Sequence, residues 1–246
     1  MAASVNKAMI LAAGFGKRLR PITDTIPKPL VEVGGRTMLD RSLDLAEAAG
    51  VTEAVVNVHY LADRIVAHCA RRTSPAIAIS DETDRILETG GGVVRALPLL
   101  GPDPFLLLNA DTFWVEWGRS NLAAMIEAFD PKRMDILLML CRLSDTTGHA
   151  GGGDFRMDEA GRLTRLADKA DPSGLLYAGA TIYNPVIFEG AAAEPHSLNV
   201  YYDRAIAEGR LFGRVMADGH WFTVGTPDAL PAAETKLRQL QATSAD

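Results

Sequence analysis

The sequence predicts an α/β fold: a mixed, mainly parallel sheet with helices on both faces and a small antiparallel annex. Three observations carry this. Apolar runs and helical periodicities alternate from Ala8 to Ile79, a pattern that yields parallel strands joined by crossover helices. The most apolar run, Phe105-Leu106-Leu107-Leu108-Asn109, reads as a buried central strand. From Gly148 onward the alternation gives way to glycine-rich loops and a hairpin signal.

The elements follow in order. Ala8-Met9-Ile10-Leu11 reads as a buried strand that stops at Gly14. Small residues there let backbone N–H groups approach an anion. Lys17, Arg18 and Arg20 add positive charge, and Lys28 is braced between Pro27 and Pro29. A glycine turn, an arginine and a braced lysine suit a triphosphate. The turn is not a P-loop, which needs Gly-x4-Gly-Lys-Ser/Thr. Nor is it the dinucleotide fingerprint, whose third glycine would stand at Leu19.

Val31-Glu32-Val33 is extended and Gly34-Gly35 turns the chain. Met38 to Ala49 reads as a helix with Leu39, Leu43 and Ala46 on one face, Thr37 as N-cap and Gly50 as stop. Strands at Ala54–Val58 and Ala76–Ile79 flank a helix over Leu61 to Arg72, with Ile65 and Cys69 inward. In such sheets ligands bind beyond the carboxyl ends of the strands, which places the Gly14 turn at the functional edge. Gly90-Gly91-Gly92 is expected ahead of a short helix through Leu97. Either it is a flexible turn, or its backbone reads a base edge where a side chain would block approach.

Asp111 follows the Phe105–Asn109 strand. It is either a cap or a Mg²⁺ ligand, since that ion takes hard oxygen donors and binds through one or two carboxylates plus substrate phosphates. Trp114 and Trp117 wall a pocket or pack in the core. Ser120 to Phe129 reads as a helix, Met134 to Leu143 as a strand, Phe155–Asp158 and Leu163–Leu166 as a hairpin, and Leu175–Tyr183 as a strand. A helix over Leu198–Glu208, strands at Leu211–Ala217 and Trp221–Val224, and a helix from Pro227 to about Leu240 complete the chain. The last residues are expected to fray. With no linker or repeat, residues 1–246 are expected to be one domain.

Composition narrows the function. A formal net charge of -6 argues against wholesale nucleic-acid binding. No apolar run reaches the length of a membrane span, and residues 1–6 do not read as a signal peptide. Cys69 and Cys141 lack metal-type spacing and read as reduced core residues. A cytoplasmic protein, monomer or small homo-oligomer, is expected.

The full string from Gly14 to Leu30, Gly-x-Gly-x-Arg-Leu-x-Pro-x-Thr-x3-Pro-Lys-Pro-Leu, resembles the signature of the sugar-1-phosphate nucleotidylyltransferases. The resemblance runs from Lys7 to Thr226 and implies the Rossmann-like nucleotide-diphospho-sugar transferase fold. It implies the reaction of a nucleoside triphosphate with a sugar 1-phosphate to give a nucleotide sugar and pyrophosphate, with Mg²⁺ as cofactor. Catalytic roles would fall to Arg18 and Lys28, and the metal to Asp111. Nucleotide binding would fall to Ala12, Ala13, Gly14, Gly16, Lys17, Glu88, Gly90, Gly91 and Asn109. Asp154, Lys169 and Gly179 would hold the sugar phosphate, with His149 as a further contact or a plain loop residue. Leu87-Glu88-Thr89-Gly90-Gly91-Gly92, Gly148-His149, Gly153-Asp154-Phe155-Arg156 and Ala96–Gly101 are most similar to the branch that joins UTP to N-acetylmuramic acid 1-phosphate. The mannose-1-phosphate guanylyltransferases share much of this pattern. A cytidylyltransferase for another phosphoester, or a nucleotide-sugar binding protein without turnover, are the other readings. One departure stands out: Trp221–Thr226 is similar to a family segment Trp-x-Asp-x-Gly-Thr, whose aspartate is a second metal ligand, but this chain has Thr223 there.

Overall fold

A computed structural model describes residues 5–169 and 171–243. Residues 1–4, included in the search for a leader, and residues 244–246, expected to fray, lie outside the described residues. Strand β1 (Lys7–Leu11) runs into three short 3-10 turns, Lys17–Leu19, Ile22–Asp24 and Lys28–Leu30. The small hairpin of β2 (Glu32–Val33) and β3 (Arg36–Thr37) precedes helix α1 (Met38–Ala48). Then come β4 (Glu53–Val58), α2 (Ala62–Cys69), β5 (Ala76–Asp81), α3 (Glu88–Leu100) and β6 (Phe105–Asn109). The second half holds β7 (Thr112–Glu116), α4 (Asn121–Ala128), β8 (Ile136–Arg142), β9 (Thr146–Thr147), β10 (Phe155–Met157), β11 (Leu163–Arg165) and β12 (Leu175–Tyr183). It closes with α5 (Asn199–Ala207), β13 (Leu211–Val215), β14 (Gly219–Thr223) and α6 (Ala229–Thr243).

Nine strands form one mixed sheet. β5, β4, β1 and β6 lie side by side and parallel. β12 pairs antiparallel with β6 and β8, and β13 runs parallel to β8. The expected antiparallel annex is thus built directly onto the parallel strands, through β12. A three-stranded sheet, β7-β14-β9, and the β2–β3 hairpin stand apart from the main sheet. Strand β7 was not expected from the sequence, and it carries Trp114 into the core.

Alternation along the strands decides the two faces. Ala8 and Ile10 of β1 and Leu106 and Leu108 of β6 join Leu39 and Leu43 of α1, Ile65 of α2 and Met125 of α4. Met9 and Leu107 face the other way, against Val93 and Ala96 of α3 and Tyr202 and Ala205 of α5. Helix α1 starts where expected because the Thr37 hydroxyl accepts the Asp40 N–H at 3.0 Å. It stops at Gly50, whose φ is 94°. Cys69 and Cys141 are unpaired and buried, and burial pushes their thiols up to about 11 and about 12. No described helix is long and apolar enough to cross a membrane.

Candidate active site

Strand register builds the site. Leu11 at the end of β1 pairs with Asn57 of β4 on one side and Asn109 of β6 on the other. The glycine turn leaves the sheet from this row, at the carboxyl ends of the parallel strands. It is held from several sides. The Ala12 N–H donates to Asn57 Oδ1 at 2.7 Å. The Thr23 hydroxyl donates to the Gly16 carbonyl at 2.9 Å. Gly16 has φ 62°, and a Cβ there would fall 3.0 Å from Lys28 Cβ, so the turn admits no side chain at that point. The Phe15 ring packs against His59 and Tyr60, with centroids 5.4 and 5.5 Å away.

Lys28 and Asp111 meet above this turn. The Lys28 ammonium lies 2.8 Å from Asp111 Oδ2, and its side chain is only 12% exposed. The Ala110 N–H donates to the Leu11 carbonyl at 3.2 Å, fixing the Asp111 loop to the end of β1. A cavity of about 430 Å³ opens here, with Gly14, Gly16, Lys17, Arg18, Lys28 and Asp111 in its wall. A second cavity of about 410 Å³ shares Leu11, Gly14 and Asp111 with the first and extends past Ala13, Asn57, Glu88, Thr89 and Asn109 to Ser197. The two are halves of one cleft, one half cationic and the other lined by neutral polar groups and Glu88.

The glycine triplet is placed differently from expectation. Gly90, Gly91 and Gly92 lie inside α3, buried, not ahead of it. The N–H groups of Gly90 and Gly91 both donate to the His196 carbonyl, at 2.8 and 3.3 Å. Those two N–H groups are thus engaged within the fold, and neither glycine lines either cavity. Their smallness serves close packing instead: a Cβ on Gly91 would sit 2.1 Å from the Glu194 carbonyl oxygen. Gly91→Ala is therefore expected to destabilise the fold by about 1–3 kcal/mol, seen as a lowered Tm; an unchanged Tm would contradict this packing. The cleft instead receives Glu88 and Thr89 from this segment. Glu88 has φ 57°, a left-handed conformation that is uncommon for a side-chain-bearing residue.

A second polar cluster lies along β12. Lys169 Nζ is 3.0 Å from Asp154 Oδ1 and donates to the Gly153 carbonyl at 2.7 Å. Asp154 Oδ2 accepts the Tyr177 N–H at 3.0 Å. Two residues along, Gly179 has φ 80°, and a Cβ there would meet Thr112 Oγ1 at 2.4 Å and Asn109 Cβ at 3.4 Å. The structure thus joins Asp154 and Lys169 and links them through β12 to the strand edge that carries Asn109. The His149 ring bonds the Gly152 carbonyl at 3.2 Å and stands edge-on to Trp221. Trp114 is buried and Trp117 is 48% exposed, and neither lines the cleft.

Two residues that sequence reasoning missed are buried at the base of the cleft. Asn57 Nδ2 donates to Glu82 Oε1 at 2.7 Å, and Glu82 is wholly buried, which raises its carboxyl above the usual range. An asparagine inside an apolar strand was the only signal available. Among the described residues no group of three or more His, Cys, Asp or Glu surrounds a metal position. Asp111 is the one carboxylate in the cationic half of the cleft, 40% exposed on its side chain. That donor set fits an ion shared with phosphate oxygens, not one held by the protein alone.

A cationic cleft at the carboxyl edge of a parallel sheet with helices on both faces is the place where α/β proteins of this class receive anionic ligands. The chain belongs to the nucleotidyl transferase family, whose model matches residues 7–239. It is 42% identical to an N-acetylmuramate alpha-1-phosphate uridylyltransferase of Caulobacter vibrioides, over 94% of this chain and 97% of that protein. A Neisseria meningitidis protein of the same description is 34% identical over 93% of this chain and 96% of its own. Mannose-1-phosphate guanyltransferases of several fungi match at lower identity. The fold resembles a UDP-glucose pyrophosphorylase solved with UDP-glucose, with TM-score 0.76, 16% identity, and 96% and 99% of the two chains covered.

Proposed function

We propose that this chain transfers a nucleotidyl group from a nucleoside triphosphate to a sugar 1-phosphate and releases pyrophosphate. UTP and N-acetylmuramic acid 1-phosphate are the preferred pair, which would place the enzyme in cytoplasmic recycling of cell-wall sugars. The observation that carries the reaction class is the Lys28–Asp111 pair beside Arg18 in one half of the cleft. The relatives named uridylyltransferases support the choice of pair.

The sugar phosphate oxygen is already an anion, so attack on the α-phosphorus needs no general base. The residues must bring two anions together and stabilise charge in the transition state. Arg18 neutralises the triphosphate, while Lys28 leaves Asp111 to hold the α-phosphoryl oxygens. Gly14, Gly16 and Lys17 present the phosphate side of the cleft; Ala13, Glu88 and Asn109 face the nucleoside. Lys169, oriented by Asp154, holds the incoming phosphate, and Gly179 lets β12 pass close to Asn109 beside it. Asp111 would hold Mg²⁺, which supplies charge neutralisation on the phosphates when bound.

The runner-up is GTP with mannose 1-phosphate. A competition assay decides between them. The expected result is a higher kcat/KM for UTP with N-acetylmuramic acid 1-phosphate; a higher value for GTP with mannose 1-phosphate would reverse the assignment.

A further inference from the structure

We propose that Glu82 and Asn57 are positioning residues that tie the phosphate side of the cleft to its nucleoside side, an inference that rests on the nucleotidyl-transfer reading. A single buried chain of hydrogen bonds runs between the two. The Ala12 N–H donates to Asn57 Oδ1 at 2.7 Å, Asn57 Nδ2 donates to Glu82 Oε1 at 2.7 Å, and the Leu87 N–H donates to Glu82 Oε2 at 3.4 Å. Ala12 begins the glycine turn, and Leu87 precedes Glu88 and Thr89 of the second cavity. Asn57 itself lines that cavity.

The chain has a fixed polarity. A backbone N–H can only donate, so Ala12 forces the Asn57 oxygen toward itself and the amide nitrogen toward Glu82. Leu87 likewise presents only a donor. Glu82 must therefore accept at both oxygens, which a carboxylate does and an amide cannot. Helix α3 closes on this group: a Cβ at Gly92 would fall 2.7 Å from Glu82 Oε1. Glu82 is 0% exposed and Asn57 2%, and among the described residues Glu82 makes no ion pair. A buried carboxylate without a cation is costly for stability. Its retention here serves geometry: it sets the spacing between the turn that receives phosphate and the segment that receives the nucleoside.

Glu82→Gln places a donor against either Asn57 Nδ2 or the Leu87 N–H. The double variant Asn57→Asp with Glu82→Gln restores every bond. The carboxylate it puts at position 57 would accept from Ala12 and from the new amide at position 82, while that amide's oxygen accepts from Leu87. The experiment measures KM for both substrates, kcat, Tm and the nucleotide Kd for wild type, Glu82→Gln and the double variant. Glu82→Gln is expected to raise the nucleotide KM about 10- to 100-fold, as for a buried donor left unpaired. The sugar-phosphate KM and kcat should stay within about threefold of wild type, the mark of lost nucleotide binding. The double variant should return the nucleotide KM to near wild type. An unchanged KM in Glu82→Gln, equal losses on both substrates, or no recovery in the double variant would overturn the proposal. If Glu82→Gln does not fold, the double variant decides alone: folded with a near-wild-type KM supports the relay, and unfolded or weak-binding contradicts it. If the wild type turns over no pair, the reaction assignment fails, and the nucleotide Kd across the same proteins still judges the relay.

Discussion

Lys28→Ala and Arg18→Ala are each expected to lower kcat by about 100- to 1,000-fold, the usual cost of removing one group that stabilises transition-state charge. Both side chains face the half of the cleft closed by Asp111 and the glycine turn. Lys28 holds its position without substrate through the 2.8 Å pair with Asp111. Truncating it leaves the Cβ that packs near Gly16 and removes one partly exposed ion pair, worth about 1 kcal/mol or less. Tm should therefore move little while turnover collapses. Near-normal kcat in both variants would show that the chemistry is elsewhere.

Thr223→Asp is expected to lower the Mg²⁺ concentration needed for half-maximal activity by about tenfold, equivalent to about 1.4 kcal/mol. Thr223 of β14 pairs with Thr112 of β7, and the neighbouring Val224 N–H reaches the Asp111 carbonyl at 3.4 Å. Position 223 therefore flanks Asp111. The attraction between two unit charges about 4 Å apart near a protein surface is about 4 kcal/mol, so a tenfold shift leaves room for desolvation. In the wild type Asp111 is the only protein carboxylate proposed for the metal, with phosphate oxygens and water completing the shell. An active wild type whose Mg²⁺ dependence is unchanged in the variant would refute the ligand argument. An inactive wild type rescued by the substitution would favour a nucleotide-binding protein without turnover.

What the sequence revealed and what it hid divide along physical lines. Helix α1 was legible because its cap, apolar stripe and glycine stop are all local. Asp111 was legible because an aspartate just past a buried strand falls at the ligand edge whatever the details. The turn from Gly14 to Leu30 was legible as a continuous string of restricted backbone and charge. The glycines of α3 were misplaced because propensity alone argues against a helix there. The approach of Glu194 and His196, remote in the chain, overrides that propensity. Strand β7 escaped for the same reason: Thr112 finds its partner only in Thr223 of β14. Asn57 and Glu82 require the β1–β4 register and the path of the chain after β5, neither of which is written in local pattern.

The most direct test is pyrophosphate release by the wild-type chain with Mg²⁺ and UTP, with and without N-acetylmuramic acid 1-phosphate, alongside a panel of other nucleotides and sugar phosphates. The account predicts release that depends on the sugar phosphate and matches formation of the nucleotide sugar. No release from any pair would contradict it.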